Sequence, residues 1–152
     1  MANPSSLETL VDLAAREADS AAERLGAVLR AGEEAEQKLS MLQQYRLDYA
    51  ERCQANLTAG LSAASYSNYR VFMQKLDQAI AGQQELVREC HKRIEEARAA
   101  WSASEQKKMS FGTLASRARS QALLKEARRE QKLSDEHASR QAFSKRKLSG
   151  AQ

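Results

Sequence analysis

The feature that most constrains the fold of this sequence is a heptad pattern of apolar residues that is interrupted once. Of the 14 seam positions between Leu7 and Cys53, only Gly32 and Arg46 depart from it. Alternating steps of four and three residues are the period of a left-handed coiled coil. The first row is Leu7, Ala14, Ala21, Val28, Ala35, Leu42 and Tyr49, and the second includes Val11, Ala18, Leu25, Leu39 and Cys53.

The interruption lies between Asn56 and Asn68, where small and hydroxyl residues surround Gly60, a composition that suits a turn between helices. Beyond it the heptad resumes, with Tyr66, Met73, Ile80, Val87, Ile94 and Trp101 in one row and Tyr69, Leu76, Gln83, Cys90 and Ala97 in the other. The pattern predicts an all-α fold, a long antiparallel two-helix coiled-coil hairpin that forms a single domain over residues 1–152. We expect helix 1 over about 5–57, a turn over about 58–65, helix 2 over about 66–134, and a frayed or disordered basic tail over about 135–152.

Charge is distributed unevenly along the chain. Residues 1–106 carry 12 Lys and Arg against 16 Asp and Glu, whereas residues 107–152 carry 12 against 4. A basic segment can serve nucleic acid, an anionic membrane or an acidic protein surface, so its sign alone selects no partner. No apolar stretch approaches the length of a membrane span or of a signal peptide, so we expect a soluble, cytoplasmic protein.

The sequence lacks the residue motifs that are typical of enzymes. The sequence has no Gly-rich phosphate loop and no nucleophile with a plausible base, so we expect no enzymatic activity and no cofactor. In the predicted hairpin, Cys53 and Cys90 lie about 30 Å apart along the helix, which excludes a disulfide. Cys90, His91 and His137 have no metal-ligand spacing, so we expect no metal site.

Apolar residues near the turn exceed what one two-helix seam can bury. Five of the eight aromatic residues lie between Leu42 and Ile80. We interpret the surplus as an exposed patch for a protein partner, since large exposed apolar patches usually mark binding sites. The alternative is that a third helix, from the C-terminal segment or a second copy, covers the patch. Its residues are Leu42, Tyr45, Tyr49, Phe72, Leu76, Ala79 and Gln83.

At the opposite end, the first turns of helix 1 should lie against a later part of helix 2 that continues into a basic overhang. A run of charge is most often a solvated helical face, but its place at the end of a hairpin favours docking. The residues of this end are Leu7, Leu10, Val11, Ala14, Phe111, Leu114, Arg117, Arg119, Lys125, Arg128 and Arg129.

Three segments together resemble FliJ, the small coiled-coil protein family of flagellar type III export. They are the entry LVDLAAREADSAAERLG into helix 1, MLQQYRLDY over Met41–Tyr49 and YRVFMQKLDQAI over Tyr69–Ile80. The similarity extends over essentially the whole chain, in the order and spacing of the segments, and includes the lone Trp101.

The resemblance implies a stalk-like coiled coil, similar to the rotor stalk of rotary ATPases. One end would bind the hexameric export ATPase and promote its assembly, and the residues from Leu42 to Gln83 given above would bind the export-gate membrane protein FlhA. The resemblance also implies escort of flagellar export chaperones and a cytoplasmic location at the inner membrane. The family pattern favours a polar or imidazole side chain at the position of Gln83.

Two other classes of function remain open on the sequence. The basic C-terminal region could bind nucleic acid or an anionic membrane, although it lacks interleaved aromatic residues and a basic helix that leads into a parallel zipper. The chain could also be a structural spacer, which would leave the aromatic patch without a partner.

Overall fold

The computed structural model describes residues 4–150, which form two long helices and no strand. Helix α1 spans Pro4–Ala59 and helix α2 spans Ala63–Ser149. The helices pack antiparallel as a hairpin, which confirms the predicted fold class. Over these described residues, neither helix contains an apolar stretch that could span a membrane.

The turn between the helices is shorter than predicted, three residues in place of eight. Gly60 has a φ of 93°, which L side chains rarely adopt, and its amide bonds to the Leu57 carbonyl at 3.3 Å. The Ser62 hydroxyl accepts a bond from the Ser65 amide at 3.2 Å and so caps the start of α2. One left-handed glycine and one hydroxyl cap are enough to reverse the chain, so both helices extend further into the predicted turn.

Two predictions for the C-terminal region are wrong within the described residues. They are the end of helix 2 near residue 134 and the disordered tail from residue 135. Helix α2 continues to Ser149. Between Gly112 and Gly150 the sequence has no glycine and no proline, and Ala, Leu, Glu, Gln, Lys and Arg dominate, all of which favour helix. The end of the predicted tail, 151–152, lies outside the described residues.

The described chain groups into two compact units. The first unit contains α1 through Arg16 and α2 from Glu105, and its buried apolar residues are Leu7, Ala14 and Ala115. The second unit spans Glu17–Ser104, and its seam buries Ala18, Ala21, Ala35, Cys53, Leu76, Ile80 and Cys90. All fourteen seam positions predicted on α1 are buried or half-buried. On α2 the prediction is wrong for Tyr66 and Trp101, whose side chains are exposed.

Small residues let the helices of the second unit approach closely. A Cβ added to Gly32 would lie 2.9 Å from Cδ1 of Ile94 and 3.9 Å from Cβ of Cys90. The glycine therefore replaces a side chain that would push against α2. Cys53 and Cys90 are buried free thiols, as their wide separation in the predicted hairpin requires.

Candidate protein-binding surface

Aromatic side chains from both helices meet in the second unit near the turn. The ring of Tyr49 lies 4.5 Å from that of Phe72 and stacks on Tyr69 at 5.5 Å, and Tyr45 meets the edge of Phe72 at 6.1 Å. Tyr66 continues the series by stacking on Tyr69 at 6.3 Å. The contacts fix the rings against each other, so a partner that binds them immobilises few additional side chains.

The predicted patch is partly exposed and partly buried. Tyr45 is 50% exposed, Ala79 is exposed, and Leu42, Tyr49 and Phe72 are half-buried. We call these five residues the aromatic surface. No third helix covers it within the described chain, which contains only α1 and α2.

Leu76 and Gln83 differ from the other predicted residues. Leu76 is only 7% exposed and belongs to the seam, so its assignment to an exposed patch is wrong. The reason is that Leu76 also occupies the companion heptad row, and the seam takes that row first. The Gln83 side-chain amide donates to the Ala35 carbonyl at 2.9 Å, so this half-buried residue connects the two helices.

A groove of about 520 Å³ runs beside the aromatic surface, mostly along α1. The surface of its lining is mainly apolar, and Met41, one of its lining residues, is 71% exposed. Methionine is flexible and polarizable, and it is common at surfaces that accept partner side chains. The groove is lined by Lys38, Met41, Leu42, Gln44, Tyr45, Asp48 and Gln83.

Two polar pairs fix the register of the helices on either side of the groove. Nε of Arg46 lies 2.5 Å from Oδ1 of Asp77, and this contact raises the pKa of Arg46 above its usual value. Nε2 of His91 lies 2.7 Å from Oε1 of Glu36. Arg46, which departs from the apolar heptad, therefore pairs its charge with the carboxylate of Asp77 on the facing helix.

Partial burial also acts on Tyr69, next to the aromatic surface. It raises the pKa of the phenol above its usual value, and the neighbouring Cys53 thiol adds to the shift. Both effects favour the neutral phenol, because burial removes water from the charged form and the sulfur disfavours a second negative charge beside it.

The residues predicted to face the ATPase lie in the first unit and fall into two groups. Leu7 and Ala14 are buried in the seam, and Val11 and Phe111 are half-buried. The remaining residues are exposed. They are Leu10, Leu114, Arg117, Arg119, Lys125, Arg128 and Arg129.

Helix α2 continues as an overhang in the same unit. Every side chain from 119 to 150 is exposed, so no described residue of α1 covers this segment. Large apolar side chains lie among its basic ones, with Leu123 70%, Phe143 69% and Leu148 74% exposed. Most helical stability in proteins comes from tertiary packing of an apolar face, so a partner that covers these apolar side chains would add to the stability that helix propensity gives the overhang.

Among residues 4–150, no three His, Cys, Asp or Glu side chains are close enough together to hold a metal ion. The surfaces described above offer exposed aromatic, apolar and basic groups. Aromatic residues, methionine and arginine are enriched at protein interfaces.

Comparison with known proteins identifies the family. The family model described as the flagellar FliJ protein matches residues 3–147. This chain belongs to the FliJ family.

Two FliJ relatives match at nearly full length. The flagellar FliJ protein of Escherichia coli strain K12 is 34% identical over 145 residues, which cover 95% of this chain and 99% of that protein. The flagellar FliJ protein of Salmonella typhi is 34% identical over the same share of each chain. Membership of the FliJ family supports a role for this chain as a component of flagellar export.

The polar pairs between α1 and α2 and the exposed Met41 were not predicted from the sequence. A signal for one polar contact was present, because an arginine at a seam position predicts a carboxylate on the facing helix. Asp77 lies one residue from the mirror position of Arg46 about a turn centred on Leu61. Met41 carried no such signal, since it lies outside both heptad rows.

Proposed function

We propose that this chain is a non-enzymatic, stalk-like component of the flagellar type III export apparatus. It binds the hexameric export ATPase, promotes assembly of the hexamer and couples it to the export gate. The aromatic surface binds the gate protein FlhA, and the exposed residues of the first unit bind the ATPase. The working location is the cytoplasm, in peripheral association with the inner membrane at the export apparatus.

The observation that carries the proposal is the exposure of the aromatic surface. Tyr45 is half exposed, and it extends a set of rings that α1 and α2 hold in fixed contact. Rigid aromatic residues dominate the energetics of protein interfaces when a partner excludes water from them. The FliJ resemblance implies that this region binds the gate, which supports the proposal.

Tyr45→Ala tests the gate assignment without disturbing the seam. We expect its affinity for the cytoplasmic part of FlhA to fall about tenfold or more, which is the usual loss for an aromatic anchor. Val71→Ala is the matched control, because Val71 is also 50% exposed but is not part of the aromatic surface. Calorimetric titration measures both. Equal affinities for the two variants would refute the gate assignment.

The ATPase assignment is supported by the overhang of α2. Its basic residues lie on a helix without a described partner, next to exposed leucines. Binding inside a protein ring would cover the apolar groups, and acidic groups on the ring would pair with the basic ones. The basic charge also raises the rate of association with an acidic partner.

Charge reversal tests the ATPase assignment. In the triple variant Lys125→Glu, Arg128→Glu and Arg129→Glu, we expect loss of the chain's stimulation of ATP hydrolysis and of hexamer formation. The matched control makes the same change in charge at exposed residues of the second unit, Arg70, Lys75 and Arg98. An equal loss in both triple variants would show that net charge, and not this surface, is responsible.

Escort of export chaperones is part of the proposal on the family resemblance, and we assign no residues to it. Nucleic acid and anionic membranes are the competing ligands of the basic overhang. Titration of the intact chain with duplex DNA and with anionic vesicles over a salt series distinguishes them. Steeply salt-dependent binding tighter than that of the ATPase would favour the competing class.

A further inference from the structure

A stripe of six exposed residues follows one face of α1 in the second unit. The residues are separated by steps of four and three, the spacing of a coiled-coil seam. The stripe lies roughly 100° around the helix from the seam that contacts α2 and is about 27 Å long. Four of its members, Lys38, Met41, Tyr45 and Asp48, also line the groove. Its members are Glu34, Lys38, Met41, Tyr45, Asp48 and Arg52.

The stripe is complementary to itself when it is reversed. Members of the stripe at equal distances on either side of Gln43 either carry opposite charges or are both largely apolar. Lys38 corresponds to Asp48, Glu34 corresponds to Arg52, and the apolar Met41 corresponds to Tyr45. In an antiparallel pair of α1 helices related by a two-fold axis beside Gln43, each of these residues faces its counterpart on the other copy.

We propose that this stripe is a homodimer interface, in which α1 of one copy packs antiparallel on α1 of a second copy. A two-fold interface is made by the same patch on both copies, so each contact between unlike residues occurs twice. Two copies then form four ion pairs around a centre of two methionines and two tyrosines. A parallel arrangement is excluded, because it would bring Lys38 against Lys38 and Asp48 against Asp48.

The charges of the stripe are available for such contacts. Within residues 4–150, none of the four forms an ion pair across the helices of its own chain, unlike Arg46 and Glu36. Asp48 accepts only a hydrogen bond from the Gln44 side chain at 3.0 Å on the same helix. The two apolar residues between these charges are also accessible, with Met41 71% and Tyr45 50% exposed.

A different protein would not require this symmetry. In a complex with an unrelated protein, the partner supplies the complementary residue of each contact. In a homodimer, both residues of every contact come from the same sequence. The stripe supplies three such pairs in succession. The second copy is therefore the occupant that the pattern favours.

The dimer has a consequence for the proposed function. Tyr45 belongs to both the stripe and the aromatic surface, so a dimer and a gate complex would exclude each other. This consequence rests on the proposed function. The dimer itself does not, and purified chain alone tests it.

The experiment is sedimentation of the full chain from about 1 µM to about 1 mM, the range in which weak association is measurable. We expect concentration-dependent dimers. In Lys38→Glu, two ion pairs become two contacts between like charges, which should weaken the dimer about tenfold. Asp48→Lys should weaken it equally. Lys75→Glu is the matched control, an exposed lysine on α2 outside the stripe, and should leave the dimer unchanged.

Mixing the two weakened variants gives the decisive result. In the mixed dimer, the glutamate introduced at position 38 of the first variant faces the lysine introduced at position 48 of the second. The other pair keeps its natural Lys38 and Asp48. We expect the mixture to recover the affinity of the natural chain, while far-UV circular dichroism shows unchanged helix in both variants. A natural chain that stays monomeric throughout the range, or a mixture no tighter than its components, would overturn the proposal.

Discussion

Replacement of Leu76 by alanine should destabilise the hairpin by about 2 kcal/mol. The side chain is 93% buried, since its exposed fraction is 7%. Truncation of a buried leucine costs about 2–5 kcal/mol through lost apolar burial and the cavity that remains. The seam of a two-helix hairpin is one layer thick and borders water, so the lower end of that range applies.

Urea unfolding followed by far-UV circular dichroism measures this loss, with Met41→Ala as the matched control. Met41 is 71% exposed, so its truncation should change the free energy of unfolding by less than about 0.5 kcal/mol. Equal unfolding midpoints for the two variants would refute the assignment of Leu76 to the seam. The comparison also shows which substitutions are suitable for binding assays. If Leu76→Ala destabilises the hairpin, a loss of partner binding in that variant could result from unfolding and not from a lost contact.

Four further substitutions test the packing and the electrostatics. Gly82→Ala should stabilise the chain by about 1 kcal/mol in thermal unfolding, because alanine has the higher helix propensity and its added methyl meets no atom within 4 Å. Gly60→Ala should destabilise the chain, because Gly60 has a φ of 93°, which alanine rarely adopts. Arg46→Ala should lower stability slightly at low salt and less at high salt, since the ion pair with Asp77 is exposed to solvent; a loss independent of salt would contradict this. The raised pKa of Tyr69 favours folding below the ordinary tyrosine pKa, so stability should fall as the pH rises above about 10, and the fall should be smaller in Tyr69→Phe.

The heptad pattern was enough to predict the hairpin and almost all of its seam. All the predicted seam positions of α1 are buried or half-buried, even Arg46 and Gly32, which depart from the apolar pattern. The failures came at the ends of the elements. Trp101 is exposed although it continues a heptad row, and α2 stays helical to Ser149 although its apolar residues no longer repeat. Local helix propensity sustains that segment without a seam.

The candidate surface was predictable in composition but not in its division between seam and solvent. Phe72 and Leu76 are four residues apart and both apolar, so the sequence places them on one face. Leu76 also occupies the companion heptad row, which assigns it to the seam, and it is buried there. Phe72 lies outside both rows, and its half exposure depends on the ring contacts with Tyr45 and Tyr49, which the heptad pattern does not specify.

The most direct test of the central claim is whether the chain joins the export ATPase to the gate. The cytoplasmic part of FlhA is immobilised, and retention of the ATPase is measured as the chain is added. Two separate binding surfaces predict retention that rises with the chain and falls again when excess chain occupies each partner separately. Tyr45→Ala and the Lys125, Arg128 and Arg129 charge reversal should each abolish retention. Retention without the chain, or equal retention with either variant, would contradict the account.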